Sequence, residues 1–215
     1  SWWKFVKRQK MKSGLFFPNH FVRIALQSLE EVIGPGGMTT IYSHSSLAHL
    51  AEALPPDDMN KQFDFTDFAA LFETLQSIFG SRGSRSLAMR AGRITFTRGL
   101  TIFGKGSITE PQPGTGPLGP HSVLIRLNRL SNFFNTVSDQ RSTVAATDIP
   151  NTFIYTVQVC PNCMDRSSSE PVCAFYEGLL SEAAKTFSGG LEYSTRELQC
   201  MAGGAEACIF EIKLD

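Results

Sequence analysis

The sequence predicts an α+β domain in which helices cover an antiparallel sheet of about four strands. Apolar residues recur at helical spacing through the first 138 residues, whereas strict two-residue alternation appears only after residue 141. All five cysteines lie in the last quarter of the chain, beside the predicted strands. Of the 215 residues, 42% are hydrophobic and 17 are phenylalanines, enough for a well-packed core.

Five helices are predicted in the first part of the chain, separated by glycine and proline. Pro18 suits the first turn of the first helix, and Asp64 can cap the third. Gly80 ends the third helix, and Gly92 is a close-packing point in the fourth, whose five arginines we interpret as a solvated face with ion pairs. The predicted ranges are 18–33, 41–54, 65–79, 81–103 and 121–138.

The rest of the chain predicts the order strand, strand, helix, strand, strand. The first two strands cover 142–147 and 152–159, and the alternation in the second places Phe153, Tyr155 and Val157 on one face. Pro171 opens a helix that ends near residue 189. Segments 191–200 and 207–214 then pair as a hairpin.

This organisation predicts one domain at 18–215, after a basic, aromatic lead-in at 1–17 and with a Gly/Pro-rich loop at 104–120. The formal net charge is zero, so no electrostatic footprint for nucleic acid is expected. No apolar run reaches the roughly 20 residues needed to span a membrane. With no export signal recognised near Trp2, we expect a cytoplasmic protein with reduced thiols.

The cysteine spacing predicts a metal site. It reads Cys160-x2-Cys163, then Cys173, then Glu197-x2-Cys200-x7-Cys208. Closely spaced thiolates with a nearby carboxylate are typical ligands of tetrahedral zinc, whereas isolated buried thiols would not be confined to one end of a chain. An iron–sulfur cluster on four thiolates is the alternative metal group.

Two stretches also resemble a known family. PVCAFYEG at 171–178 and ELQCMAGGAEACIF at 197–210 are similar to the 4-vinyl reductase domain, also described as a predicted hydrocarbon-binding domain. The resemblance implies the fold of the TRAPP vesicle-tethering subunits and of NO-signalling ligand-binding domains, and a homodimer. Family members include sensor domains of aromatic-responsive transcription activators and proteins linked to bacteriochlorophyll vinyl reduction.

In the aromatic-sensing members, zinc is held by a cysteine at a helix start and by a glutamate and two cysteines around the last hairpin. The resemblance therefore implies the ligand set Cys173, Glu197, Cys200 and Cys208. This chain adds Cys160 and Cys163, so a second set combines those two with Cys173 and one hairpin cysteine. Either set fills four-coordinate zinc, which makes the metal structural.

The function predicted from these features is binding or sensing of a small apolar or aromatic, hydrocarbon-like molecule. Phenylalanines on the helices offer an apolar pocket in the helical layer, apart from the metal, and Phe72 is the first candidate to line it. No nucleophile elbow, zinc-protease motif or dinucleotide fingerprint is found, which favours binding over catalysis. Two alternatives stay open: a vinyl reductase or accessory protein of tetrapyrrole biosynthesis, and a dimeric interaction scaffold like the tethering subunits.

Overall fold

Helices pack on a four-stranded antiparallel sheet in the computed structural model, which describes residues 11–104 and 119–215. The first ten residues of the predicted lead-in and most of the predicted Gly/Pro-rich loop lie outside this range. No helix in the described ranges has both the length and the apolarity to cross a membrane. The elements are β1 (Phe16–Pro18), α1 (Asn19–His44), β2 (Lys61–Asp64), α2 (Phe65–Phe103), α3 (Pro120–Val137), β3 (Arg141–Ala146), β4 (Thr152–Val159), α4 (Ala174–Phe187), β5 (Tyr193–Gln199) and β6 (Cys208–Leu214).

Two glycines predicted as helix ends are kinks inside longer helices. Gly34 in α1 and Gly80 in α2 have φ values of 76° and 69°, a left-handed conformation that favours glycine. Helical geometry resumes after each of them, so four helices take the place of the five predicted. The helix predicted at 41–54 is wrong, because α1 ends at His44 and only a short 3₁₀ turn, Ala48–Ala51, follows.

A two-stranded sheet formed by β1 and β2 was not predicted. Its antiparallel pairing places Phe17 opposite Phe63, and Phe17 is fully buried. Asp64 caps α2 as predicted, accepting a hydrogen bond from the Thr66 amide at 2.8 Å. The same carboxylate accepts from the amides of Ser13 (3.1 Å) and Gly14 (2.9 Å). The end of the predicted lead-in is therefore tied to the body of the fold.

The main sheet has the strand order β3-β4-β6-β5, with every neighbouring pair antiparallel. This confirms the predicted α+β class and the four strands. In β4, Tyr155 pairs with Phe210 and Val157 pairs with Cys208 on β6, and all four side chains are fully buried. Strand β6, the last in sequence, thus lies in the interior of the sheet.

Helix α4 is held between α2 on one side and β5 and β6 on the other. The crossing with α2 is very close. A Cβ atom on Gly92 would lie 2.0 Å from the carbonyl oxygen of Phe175, and one on Gly178 would lie 1.9 Å from that of Met89. The prediction of close packing at Gly92 is confirmed, and Gly178 supplies the matching glycine on α4. This contact fixes the position of α4, whose N-terminal end carries Cys173.

Candidate metal centre and adjoining cavity

All five cysteines converge at one end of the sheet, and all are buried and unpaired. Cys160 and Cys163 lie in the turn that follows β4, and Cys173 is the N-cap residue of α4. Cys200 and Cys208 flank the loop between β5 and β6. The antiparallel pairing of β4 with β6 brings the end of β4 beside the start of β6, which is why cysteines far apart in sequence meet.

A β-bulge lets Glu197 and Cys200 both face inward. Along β5, Tyr193, Thr195 and Glu197 alternate as buried residues, so strict alternation would bury residue 199 and expose residue 200. The pairing with β6 shifts between Glu197 and Gln199, which inserts one extra residue into β5. The phase of the strand changes there, and Cys200 becomes buried while Gln199 is exposed.

The sulfur–sulfur distances match those of tetrahedral metal coordination. Sγ atoms lie 3.6 Å apart for Cys160 and Cys173, 3.4 Å for Cys163 and Cys208, 3.9 Å for Cys173 and Cys200, and 3.8 Å for Cys173 and Cys208. Zn–S bonds of ~2.3 Å at tetrahedral angles place sulfur atoms about 3.8 Å apart. Disulfides have S–S distances of about 2 Å, so these sulfurs are not covalently paired.

The fold assembles both of the ligand sets that the sequence left open. Within each set, the donor atoms all lie within 4.8 Å of one another, and every member is buried. Cys208 is the hairpin cysteine that completes the second set. The first set is Cys173, Glu197, Cys200 and Cys208, and the second is Cys160, Cys163, Cys173 and Cys208.

The surroundings of these donors suit a bound cation. The Met201 amide donates to Sγ of Cys208 at 3.4 Å, and Cys173 lies at the positive end of the α4 dipole. The Cys173 amide donates to Oε2 of Glu197 at 2.9 Å, which orients that carboxylate. The other oxygen, Oε1, is buried and has no hydrogen-bond partner in the described part of the chain. A metal ligand needs such a free, oriented oxygen.

Without a metal, this cluster resists ionisation. Burial raises the pKa of Glu197 to about 8, and the negative charge of Cys200 adds to the shift. Burial likewise raises the pKa of Cys160, and that of Cys173 even further, where hydrogen bonds with the neighbouring thiols add to it. A divalent cation would offset this repulsion and deprotonate the thiols, so the donor set fits a metal ion.

A cavity of about 410 Å³ adjoins the cysteine cluster. It lies between α2 and the segment that leads into α4, and Phe72 forms part of its apolar wall with Leu75 and Val172. Arg85 and Glu197 also line it. We expected a pocket in the helical layer, apart from the metal. The cavity has a helical wall, but it also reaches a candidate metal ligand.

An ion pair that the sequence did not indicate connects the cavity with the cluster. Arg85 on α2 pairs with the buried Glu177 of α4, with 2.6 Å between Nη2 and Oε2. Oε1 of Glu177 accepts a hydrogen bond from the Glu197 amide at 2.7 Å. We had interpreted the arginines of this helix as a solvated face, and Arg85 departs from that because its partner lies 92 positions away.

A second, much smaller cavity lies elsewhere in the helical layer. It has a volume of about 30 Å³ and is lined by aromatic side chains that include Phe21, Phe96 and Phe133. About one water molecule fits in such a space. Of these two cavities, only the one beside the cysteine cluster can take a larger molecule.

Comparisons with known proteins agree with this architecture. The H-NOX protein from K. algicida, solved as the unliganded Fe(II) form, is 13% identical with a TM-score of 0.58, over 92% of this chain and 96% of that one. The H-NOX protein from S. oneidensis in the Fe(II)NO ligation state is 16% identical with a TM-score of 0.54, over 90% and 98%.

A third similar structure is the phenol-responsive sensory domain of the transcription activator PoxR, solved with phenol. It is 19% identical with a TM-score of 0.53, over 70% of this chain and 74% of that one. No curated protein matches the sequence. The family model of the 4-vinyl reductase domain matches residues 153–214, the segment that carries the cysteine cluster. These residues therefore form a 4-vinyl reductase domain, as the motifs predicted, in a chain with the fold of the H-NOX proteins.

Proposed function

We propose that this protein is a sensor domain that binds a small aromatic or hydrocarbon-like molecule and is stabilised by structural zinc. The cavity of about 410 Å³ beside Phe72 and Glu197 is the observation that carries this proposal. Ligand pockets are typically concave clefts of about 300–1,000 Å³, with apolar walls and a few polar groups. The cavity falls in this range and combines an apolar wall with a few charged and polar side chains.

The size of the cavity sets the size of the ligand. An apolar cavity of about 150 Å³ is sufficient for benzene. The larger cavity therefore accommodates one aromatic ring with substituents, or a short hydrocarbon chain, whereas the 30 Å³ cavity does not. We expect a ligand of this class to stack on Phe72 and to contact Leu75 and Val172.

The polar part of the lining narrows the class further. Arg85, Arg166 and Gln76 face the same space as the apolar wall. Arg166 donates to Oε1 of Gln76 at 2.9 Å and to the carbonyl of Asn162 at 3.1 Å. A ring that bears a hydroxyl group would satisfy both walls, and the phenol-responsive relative supports phenols as the first probes.

In this proposal the metal holds the fold together and is not where the ligand binds. Zinc bound by Cys173, Glu197, Cys200 and Cys208 would cross-link the β5–β6 hairpin to the start of α4. A four-coordinate site of this kind has no open position for a substrate. Five buried, unpaired thiols suit a reducing compartment such as the cytoplasm.

The experiment is a calorimetric binding titration with phenol, ethylbenzene and cyclohexane. Phe72→Leu should weaken the binding of the aromatic probes about tenfold, because it removes the stacking ring. The matched control is Phe96→Leu, which removes an equally buried ring from the wall of the small cavity. Equal affinities in both variants, or no binding of any probe by the unaltered protein, would refute the proposal. Thermal unfolding of each variant verifies that it is folded.

A further inference from the structure

The metal cluster contains more donors than one ion can use. Six buried side chains converge there, five cysteines and Glu197, whereas tetrahedral zinc takes four ligands. If one ion occupied the first set, the thiols of Cys160 and Cys163 would be buried without a metal. If it occupied the second set, Cys200 would be left out, and Oε1 of Glu197 would keep no partner in the described chain.

The two sets overlap in a specific way. They have Cys173 and Cys208 in common, and each set adds two donors of its own. Among the residues that the structure describes, no set combines all six donors within the 4.8 Å limit. Two tetrahedra that share one edge have this arrangement, because the unshared corners of one lie far from those of the other.

We propose that the six donors form a binuclear centre in which the thiolates of Cys173 and Cys208 bridge two zinc ions. Cys160 and Cys163 complete one tetrahedron, and Cys200 and Oε1 of Glu197 complete the other. This inference rests on the zinc of the proposed function and assigns it a second ion.

The distances fit this arrangement on both sides. The shared edge, between the Sγ atoms of Cys173 and Cys208, is 3.8 Å long. In the first tetrahedron, Cys160 lies 3.6 Å from Cys173, and Cys163 lies 3.4 Å from Cys208. In the second, Cys200 lies 3.9 Å from Cys173. All four values are close to the roughly 3.8 Å edge of a tetrahedral zinc–sulfur site.

The charges also favour two ions. Two divalent ions bring four positive charges to five thiolates and one carboxylate, which leaves a net charge of minus two. One ion among the same six ionised donors would leave minus four in a buried site, which is far more costly. Binding of both ions releases one proton from each of the five thiols, and from Glu197 where it is protonated.

The structure also explains how the chain supplies two tetrahedra. The bulge in β5 turns Cys200 inward beside Glu197, and the turn after β4 supplies Cys160 and Cys163. Each pair lies on its own segment, and the two bridging cysteines lie at the start of α4 and the start of β6. The binuclear centre would thus connect four separate segments of the fold.

The test is the number of metal ions per chain. The protein is purified with reductant and without chelator, and zinc is measured by mass spectrometry against protein from amino-acid analysis. We expect two zinc ions per chain. One ion would overturn the binuclear centre and leave the proposed function intact, whereas no metal would overturn both. Replacement with ¹¹³Cd provides a second readout, since two bridged ions give two NMR resonances coupled through sulfur, and uncoupled resonances would count against bridging.

Variants then separate the two ions. Glu197→Gln and Cys160→Ser each remove a ligand that is not shared, so each should lower the metal content from two ions to one. Glu206→Gln, on the exposed loop of the same hairpin, is the matched control and should retain two. Unchanged metal content in both ligand variants would overturn the assignment. Circular dichroism establishes that each variant is folded, so a loss of metal cannot be mistaken for unfolding.

Discussion

Gly178→Ala tests whether the close crossing of α2 and α4 sets the stability of the domain. In an exposed helix this change is stabilising by about 1 kcal/mol, because alanine favours helix more than glycine does. At Gly178 the new methyl group would lie 1.9 Å from the carbonyl oxygen of Met89. We therefore expect the sign to be reversed.

The magnitude follows from the separation that the methyl group requires. Ordinary van der Waals contact begins near 3.4 Å, so the backbones would have to move apart by about 1.5 Å at this point. Overpacking in a well-packed core costs about 1–3 kcal/mol, and here the neighbour is rigid backbone. We expect a net loss of about 2 kcal/mol, which is a fall in Tm of roughly 4–8 °C for a chain of this size.

The assay is thermal and urea unfolding of metal-loaded protein. Gly36→Ala is the matched control, because Gly36 lies in a helix and has no heavy atom within 4 Å of the added Cβ. It should leave stability unchanged or raise it slightly. If Gly178→Ala were as stable as Gly36→Ala, the close crossing would not constrain the fold, and the reasoning would be refuted.

Three further predictions concern other parts of the molecule. Asp64→Ala should lower the free energy of unfolding in urea by about 2–4 kcal/mol, because it removes the α2 cap and the hydrogen bonds from Ser13 and Gly14; an equal effect of Asp57→Ala, at an exposed site, would contradict this. Metal-free protein should lose stability as pH rises from about 5 to 8, by at most about 1.4 kcal/mol per unit, because folding raises the pKa of Glu197 to about 8 and favours its protonated form. Metal-loaded protein should show the opposite slope in the same denaturation series, since thiolates bind zinc better as pH rises. The protein should also form a homodimer, so light scattering at tens of micromolar should give twice the mass of one chain, and a monomer would contradict this.

The sequence predicted the metal cluster better than it predicted the cavity. Confinement of the cysteines to one segment is a local signal, and both open ligand sets are assembled. The involvement of Arg85 in a buried ion pair could not be predicted, because its partner Glu177 is remote in sequence and either residue alone is typical of a solvated helix face.

The glycine kinks show a related limit of sequence patterns. A left-handed glycine occurs both at a helix end and at a kink, and the local sequence is the same in both cases. At Gly34 and Gly80 the packing of the following residues continues the helix. The β1–β2 pair was not predicted because its strands, of three and four residues, are too short for an alternating pattern to be recognised.

The position of β6 in the sheet has a consequence for folding during synthesis. Strand β6 follows β5 in the chain, yet it lies between β4 and β5 and pairs with both. Until the ribosome has released it, the inner edge of β4 and the whole of β5 lack their partner strand, and such edges are prone to pair with other chains. The domain therefore cannot complete its sheet progressively from the N-terminus. We expect nascent chains that end before Cys208 to remain sensitive to protease and to depend on chaperones.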